Sequence, residues 1–280
     1  MGSPAVQVLL ESVLAPFTFA ALVLIYIRWI SQDRLVAFAQ ALAVVLAFGM
    51  TYVFAFGWPA DFVFSAKSKI VLTACIGLAI GMVVEQRPRW ARFGLVAGAI
   101  GLPIWIGIPV IEQGRPESAL LALPITAALL APSLIANTSA DIEAPTGAAL
   151  SKILIALTLA FGLAAIALFA RTFSFAELCL SLGSALLAIM AFSHQRLAVP
   201  AGVTTAALLS ALITAMLLYS EACPLAIFVL SIVIGAKRLT DFTGGKMGAE
   251  TTGRTLIFCL LPFVAAIVIA RIDAGPFSLY

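Results

Sequence analysis

Apolar segments of roughly membrane-spanning length follow one another along the whole chain, and short polar segments separate them. A transmembrane helix needs about 20 apolar residues to cross a hydrocarbon layer about 30 Å thick. Ten segments meet or approach that length, so the pattern predicts about ten spans. They cover residues 8–29, 35–57, 70–84, 93–111, 118–136, 148–170, 173–193, 197–219, 222–236 and 255–270.

Two of these predicted spans, the third (70–84) and the ninth (222–236), are short. An α-helix rises about 1.5 Å per residue, so neither segment alone reaches across the hydrocarbon layer. Lys67 and Lys69 precede the third span, and we expect their long side chains to extend it by reaching the headgroups. If the short segments only half insert, nine or eight full crossings remain.

Composition agrees with the pattern. The 280 residues are 63% hydrophobic and only 10% charged, whereas about 25% of a soluble domain is charged. Ten spans leave almost no chain for anything outside the bilayer. We therefore predict an all-α, polytopic transmembrane helix bundle, with 1–280 as a single transmembrane domain, no soluble domain and the lipid bilayer as its partner.

The basic residues predict an orientation. If the N-terminus is outside and all ten spans cross, 11 of the 16 Lys and Arg residues lie inside and five outside. Cytoplasmic loops are enriched in Lys and Arg, which favours this arrangement. We expect an integral protein of a bacterial cytoplasmic membrane with its N-terminus outside. A net charge of only +3 argues against a nucleic-acid partner.

Two pairs of glycines four residues apart predict close helix packing. Gly77 and Gly81 lie in the third span, and Gly94 and Gly98 lie in the fourth. Small residues at this spacing let two helix backbones approach closely. Either the third and fourth spans form a tight hairpin within one bundle, or the pairs mediate self-association between copies.

Prolines concentrate in the fourth and fifth spans, and polar residues follow them. An interior proline frees a backbone carbonyl, and membrane proteins tolerate this where the carbonyl is buried in protein or lines a wet cavity. Broken helices beside polar residues are typical of transporter binding sites, although simple kinking is the alternative. Gln40 is the one large uncharged polar residue within a span, and it either contributes to such a site or hydrogen-bonds between helices. The candidate substrate-binding residues are Pro109, Pro124, Pro132, Asn137 and Gln40.

The longest polar segment, 237–254, is rich in basic residues, glycine and threonine. Glycine lets backbone N–H groups converge on an anion, so this loop is a candidate site for a phosphate or lipid headgroup. Met247 follows Gly-Gly-Lys, so the loop is not a Walker A motif. The alternative is a cytoplasmic loop whose charge only fixes the topology. The candidate anion-binding residues are Lys237, Arg238, Gly244, Gly245, Lys246 and Arg254.

Chemistry of other kinds has little support in the sequence. The single histidine and four cysteines form no ligand motif, so we predict no metal, no cofactor and no catalytic residue. The hypothesis favoured is a small transporter or flippase for a neutral, amphipathic or lipid-linked substrate, and not an enzyme. The alternatives are a membrane enzyme or binding protein for a phosphorylated lipid, which would use the 237–254 loop, and a non-catalytic subunit or scaffold of a membrane complex.

Overall fold

The computed structural model describes residues 10–30, 34–58, 66–113, 122, 125–126, 146–192, 197–236, 239–240 and 249–275. These ranges contain nine α-helices with described bounds, further helical residues at 122, 125–126 and 239–240, and no strand. In chain order the helices are α1 (Ala15–Ile30, entered through a π-helical turn at Leu10–Leu14), α2 (Arg34–Phe56), α3 (Ala66–Gln86), α4 (Pro88–Glu112), α5 (Thr146–Phe169), α6 (Phe173–Phe192), α7 (Val199–Tyr219), α8 (Pro224–Ser231, continued by a 3-10 turn at Ile232–Gly235) and α9 (Ala249–Asp273).

Seven stretches of the described chain are long and apolar enough to cross a membrane, which supports the predicted all-α membrane bundle. Two further apolar stretches, Ile100–Glu112 and Pro224–Gly235, are shorter. The seven are Leu10–Trp29, Leu35–Phe56, Ser68–Gln86, Leu150–Phe169, Phe173–Phe192, Val199–Tyr219 and Thr252–Asp273.

The third predicted span is longer in the structure than in the sequence analysis. Helix α3 has 21 residues, because it includes Lys67 and Lys69 at its start and Glu85 at its end. The apolar stretch within it, Ser68–Gln86, extends beyond the predicted bounds 70–84 at both ends. Charged residues mark where hydropathy falls, but they do not end a helical backbone. The predicted fifth span lies outside the described residues except for 122 and 125–126.

Contacts between helix ends establish which ends meet. Lys69, near the start of α3, contacts Trp105 in the second half of α4, and Tyr219 at the end of α7 contacts the same stretch. At the opposite end of α7, Ala198 contacts Gln40 near the start of α2. We call these two ends of the bundle the Lys69 end and the Gln40 end.

The segment that contains α8 runs from one end of the bundle to the other. Cys223 lines a cleft with Asp273 at the end of α9, whereas Thr240 lies 3.3 Å from Thr255, hydroxyl to hydroxyl, near the start of α9. The 3-10 turn rises about 2.0 Å per residue instead of 1.5 Å, which lengthens this segment. This segment contains the ninth predicted span, 222–236. It therefore lies along α9 for most of that helix's length.

The helices pack as three groups of three, which are α1 with α2 and α6, α3 with α4 and α7, and α5 with α8 and α9. Contacts of α2 with α7 and of α5 with α6 join the groups. Helix α7 is the centre of the bundle. Of its most apolar 18-residue stretch, 83% is buried, more than in any other described span.

The Gly77/Gly81 pair packs against α7. A Cβ atom on Gly77 would lie 3.0 Å from the Cα atom of Thr204, and one on Gly81 would lie 2.7 Å from the Cα atom of Pro200. The two backbones are therefore nearly in contact. Within the bundle, the helix that packs on this pair is α7 and not the fourth span, which the hairpin alternative had named. Self-association of copies, through this pair or through Gly94 and Gly98, stays a prediction.

We expect Gly81→Ala to destabilise the bundle by about 1–3 kcal/mol, because the new methyl group would meet backbone atoms of Pro200 that cannot move away. The matched control is Gly49→Ala in α2, where an added Cβ meets nothing within 4 Å. Its expected effect lies between zero and a gain of about 1 kcal/mol. Unfolding of the purified protein in mixed micelles measures both variants, and equal stabilities would contradict the packing described here.

Candidate functional site

Helix α4 continues through Pro109 but lacks one backbone hydrogen bond there, and a lysine from α3 contacts the carbonyl concerned. Proline has no N–H group, so the carbonyl of Trp105, four residues earlier, loses its partner within the helix. The Lys69 ammonium donates a hydrogen bond to this carbonyl oxygen at 2.7 Å. It also lies 5.7 Å from the centre of the Trp105 ring, at a cation–π distance. Lys69 thus satisfies the carbonyl that Pro109 frees.

Two further groups join this site. The Tyr219 hydroxyl, at the end of α7, donates a hydrogen bond to the carbonyl oxygen of Ile106 at 2.8 Å. The carboxylate of Glu112, the last residue of α4, attracts the Lys69 ammonium electrostatically. Three helices therefore meet around the turn of α4 in which Pro109 leaves a carbonyl without a helical partner. We call Lys69, Trp105, Pro109, Glu112 and Tyr219 the α4 junction.

Lys69 is buried in the protein, with only 4% of its surface exposed. The expectation that it reaches out to the headgroups was therefore wrong. Leaving the freed carbonyl of Trp105 without a partner in an apolar layer is costly, and the ammonium is the donor that removes this cost. Nothing is described for the side chain of Lys67.

The α4 junction has spare hydrogen-bonding capacity. A lysine ammonium carries three N–H donors, and of the described residues only Trp105 accepts one of them. Phosphate, hydroxyl or carbonyl oxygens of a bound molecule could accept the others. Trp105 lies seven residues before the end of α4, or about 10 Å along the helix axis. The junction therefore lies closer to the Lys69 end than to the middle of the bundle.

Gln40 contributes to a different contact. Its side-chain oxygen accepts a hydrogen bond from the backbone N–H of Ala198 at 2.8 Å, and Gln40 is 3% exposed. Ala198 is the N-cap residue of α7 and has no side-chain oxygen of its own, so α2 supplies the cap. This is the inter-helix hydrogen bond that the sequence offered as the alternative. The structure places Gln40 and Pro109 at opposite ends of the bundle.

The other candidate substrate-binding residues, Pro124, Pro132 and Asn137, lie outside the described residues. So do five of the six candidate anion-binding residues, namely Lys237, Arg238, Gly244, Gly245 and Lys246.

The sixth, Arg254, lies near the start of α9, which begins at Ala249 and so includes the last six residues of the predicted 237–254 loop. Its neighbour Thr255 places a buried hydroxyl 3.3 Å from that of Ser151 and 3.3 Å from that of Thr240. Three buried hydroxyl groups therefore lie together beneath the described end of this loop.

Sequence reasoning missed Lys69 and Tyr219 as members of a site. One signal for Lys69 was present in the sequence, because Lys69 and Trp105 both lie 18 residues from Arg87, where α3 and α4 meet. In a helical hairpin, two residues equally distant from the turn lie at the same position along the hairpin axis. The contact of Tyr219 had no such signal, because α7 is distant in the sequence.

The chain matches no protein-family model and no curated protein. The described residues contain no group of three or more His, Cys, Asp or Glu side chains that could hold a metal ion. Interpretation of the site therefore rests on its own geometry.

We predict that Lys69→Met and Pro109→Ala are energetically coupled. In the wild-type background, Lys69→Met leaves the Trp105 carbonyl unpaired, at a cost of about 1–3 kcal/mol. In the Pro109→Ala background, the new N–H group at position 109 can bond that carbonyl, so the same substitution costs less, by about 1 kcal/mol. A double-mutant cycle of unfolding free energies measures the difference.

Lys152→Met is the matched control, since Lys152 lies near the start of α5 at the Gln40 end. Its cost must be the same in the wild-type and Pro109→Ala backgrounds. Additive effects of Lys69→Met and Pro109→Ala would contradict the assignment of the freed carbonyl to Lys69.

Proposed function

We propose that this chain is a small membrane transporter or flippase for a neutral, amphipathic or lipid-linked substrate. The observation that carries the proposal is the α4 junction, where a proline-broken helix leaves a backbone carbonyl to a buried lysine. Transporters build binding sites from interrupted helices whose freed backbone groups face a ligand. An intramembrane ionisable residue is, by default, a candidate functional group.

The proposal includes ten crossings. The end of α4 is at the Lys69 end, and the start of α5 is at the Gln40 end, so the chain must pass between the two ends from Glu112 to Thr146. This interval is long enough for one span. Within it, Ala122, Ile125 and Thr126 are buried, which supports a fifth helix inside the bundle.

The proposal also keeps the N-terminus outside, in a bacterial cytoplasmic membrane. With alternating crossings the Lys69 end holds five of the 16 basic residues and the Gln40 end holds 11. The excess of Lys and Arg then lies in the cytoplasm. The α4 junction faces the outer leaflet in this arrangement.

The positions of charged residues along the spans support this substrate class. The seven described spans keep Asp, Glu, Lys and Arg near their ends and leave their middle turns without them. Ion-coupled pumps usually place such residues at mid-depth. A substrate with a polar headgroup and a neutral or apolar body fits better, since the spare donors of Lys69 can bind the headgroup near the outer surface.

The interrupted turn also provides a means of movement. Beyond Pro109 only the last turn of α4 remains, and the Lys69 hydrogen bond ties the interrupted turn to α3. If the headgroup of a substrate accepts the Lys69 hydrogen bond in place of the Trp105 carbonyl, α4 loses this bond to α3. We propose that Lys69 exchanges between the Trp105 carbonyl and the substrate headgroup, and that this exchange opens and closes the substrate's path through the bundle.

Lipid movement in proteoliposomes tests the proposal. The purified protein is reconstituted with NBD-labelled phospholipid or glycolipid, and dithionite bleaching reports label that reaches the outer leaflet. We expect wild-type protein to bleach more than the outer-leaflet half. Lys69→Met and Pro109→Ala should slow the movement by about tenfold, because Lys69→Met removes the ammonium and Pro109→Ala supplies a backbone N–H that replaces it at the Trp105 carbonyl.

Pro262→Ala is the matched control, because Pro262 is also an interior proline but lies in α9, away from the α4 junction. It should leave the rate unchanged. Bleaching that stops at half with wild-type protein for every labelled lipid would reject the transport proposal. Equal slowing by all three variants would reject the role of the α4 junction.

A second candidate function is binding or modification of a phosphorylated lipid at the 237–254 loop. The buried hydroxyls of Ser151, Thr240 and Thr255 favour it, since hydroxyl groups are phosphate ligands and these three lie beside the loop. Under this candidate, neutralising the loop's four basic residues abolishes binding of anionic lipid headgroups. Unchanged binding removes it.

A further inference from the structure

A second polar feature lies at the Lys69 end, apart from the α4 junction. It is a cleft of about 260 Å³ between the ends of α5 and α9 and the start of α8. Three charged side chains line it, Arg171, Glu221 and Asp273, together with the Cys223 thiol and apolar side chains that include Phe169. One positive and two negative groups therefore face one small space, from the α5–α6 connection, the α7–α8 connection and the end of α9.

The charges in this cleft do not compensate one another directly. Within the part of the chain that the structure describes, none of the three side chains has an ion-pair partner within 4 Å. Helices α5 and α9 end at the cleft, and the C-terminal end of a helix carries partial negative charge. A molecule with a positive group is attracted to this side, and Arg171 offers a place for a negative group.

Arg171 has an unusual backbone for its residue type. Its φ is +57°, and it occupies the C′ position after α5, where Thr172 N–H bonds the Ala167 carbonyl at 2.9 Å and Arg171 N–H bonds the Leu168 carbonyl at 3.1 Å. This is a Schellman motif, in which glycine is the usual residue because it adopts a left-handed conformation without strain. The chain carries a strained arginine here instead, and its side chain lines the cleft.

We infer that this cleft binds a small zwitterion with a primary ammonium group and a phosphate or carboxylate group. The Arg171 guanidinium binds the anionic oxygens, for which its fork of N–H donors is well suited. Glu221 and Asp273 accept hydrogen bonds from the ammonium group. Ethanolamine phosphate has this chemistry, and it occurs both as a lipid headgroup and as a free solute. The inference is independent of the proposed transport.

The Cys223 thiol provides the readout, because it lines the cleft and is partly exposed. Cys179 and Cys259 are buried, so Cys75→Ala leaves Cys223 as the accessible thiol. The full-length protein in detergent is labelled with a water-soluble maleimide, with and without O-phosphoethanolamine. A parallel set uses micelles with and without phosphatidylethanolamine. Protection by the soluble compound identifies a free solute as sufficient, and protection by the lipid alone identifies the headgroup in its membrane.

Arg171→Gly is the decisive variant. It removes the guanidinium group and relieves the left-handed strain, so its melting temperature should stay the same or rise while protection weakens about tenfold or more. Glu221→Gln with Asp273→Asn keeps the shapes and should weaken protection similarly. Arg271→Gln removes one positive charge at the same end of the bundle but outside the cleft lining, and should change protection less than twofold.

Three results would overturn the inference. The first is no protection of Cys223 by either probe. The second is equal protection by inorganic phosphate, which lacks the ammonium group. The third is Cys223 that stays protected by the probes in Arg171→Gly, provided that this variant melts no lower than the parent protein.

Discussion

A backbone N–H or carbonyl group inside a lipid bilayer finds no water to bond, so every interruption of a helix needs a partner from within the protein. Two interruptions in this bundle are satisfied in the same way, by a long polar side chain from another helix. Lys69 of α3 bonds the carbonyl that Pro109 frees in α4, and Gln40 of α2 caps the start of α7 at Ala198. Both side chains are almost fully buried, whereas their partners Trp105 and Ala198 are partly buried.

These two contacts lie at opposite ends of the bundle and together with α7 they organise it. Helix α7 receives the cap from α2 at one end and donates a hydrogen bond from Tyr219 to α4 at the other. Between these points Gly77 and Gly81 bring the α3 backbone against it. The interrupted part of α4 is thus held by two neighbours whose own positions are fixed by close packing. If a ligand replaced the hydrogen bond between Lys69 and the Trp105 carbonyl, the end of α4 would move relative to α3 and α7, which stay packed together.

Hydropathy alone predicted the helices well, because exclusion from water is a property of each segment by itself. It failed where the outcome depended on a partner distant in the sequence. Lys69 was expected at the headgroups, and its burial depends on a carbonyl freed 40 residues later by Pro109. The partner of Gly81 proved to be Pro200 in α7, which no pattern near Gly81 indicates. Likewise, the charged cleft around Arg171 forms only where two connections and the end of α9 meet.

The bond between Lys69 and the Trp105 carbonyl can be measured in a bilayer by solid-state NMR. Protein labelled with carbonyl-¹³C tryptophan and ¹⁵Nζ lysine contains four tryptophans, and rotational-echo dephasing reports the carbon–nitrogen distances. With the ammonium 2.7 Å from the carbonyl oxygen, one tryptophan carbonyl should show a lysine nitrogen about 4 Å away, and Lys69→Met should remove that signal. If none of the four carbonyls dephases at this distance, Lys69 does not hold the broken turn of α4, and the account is contradicted.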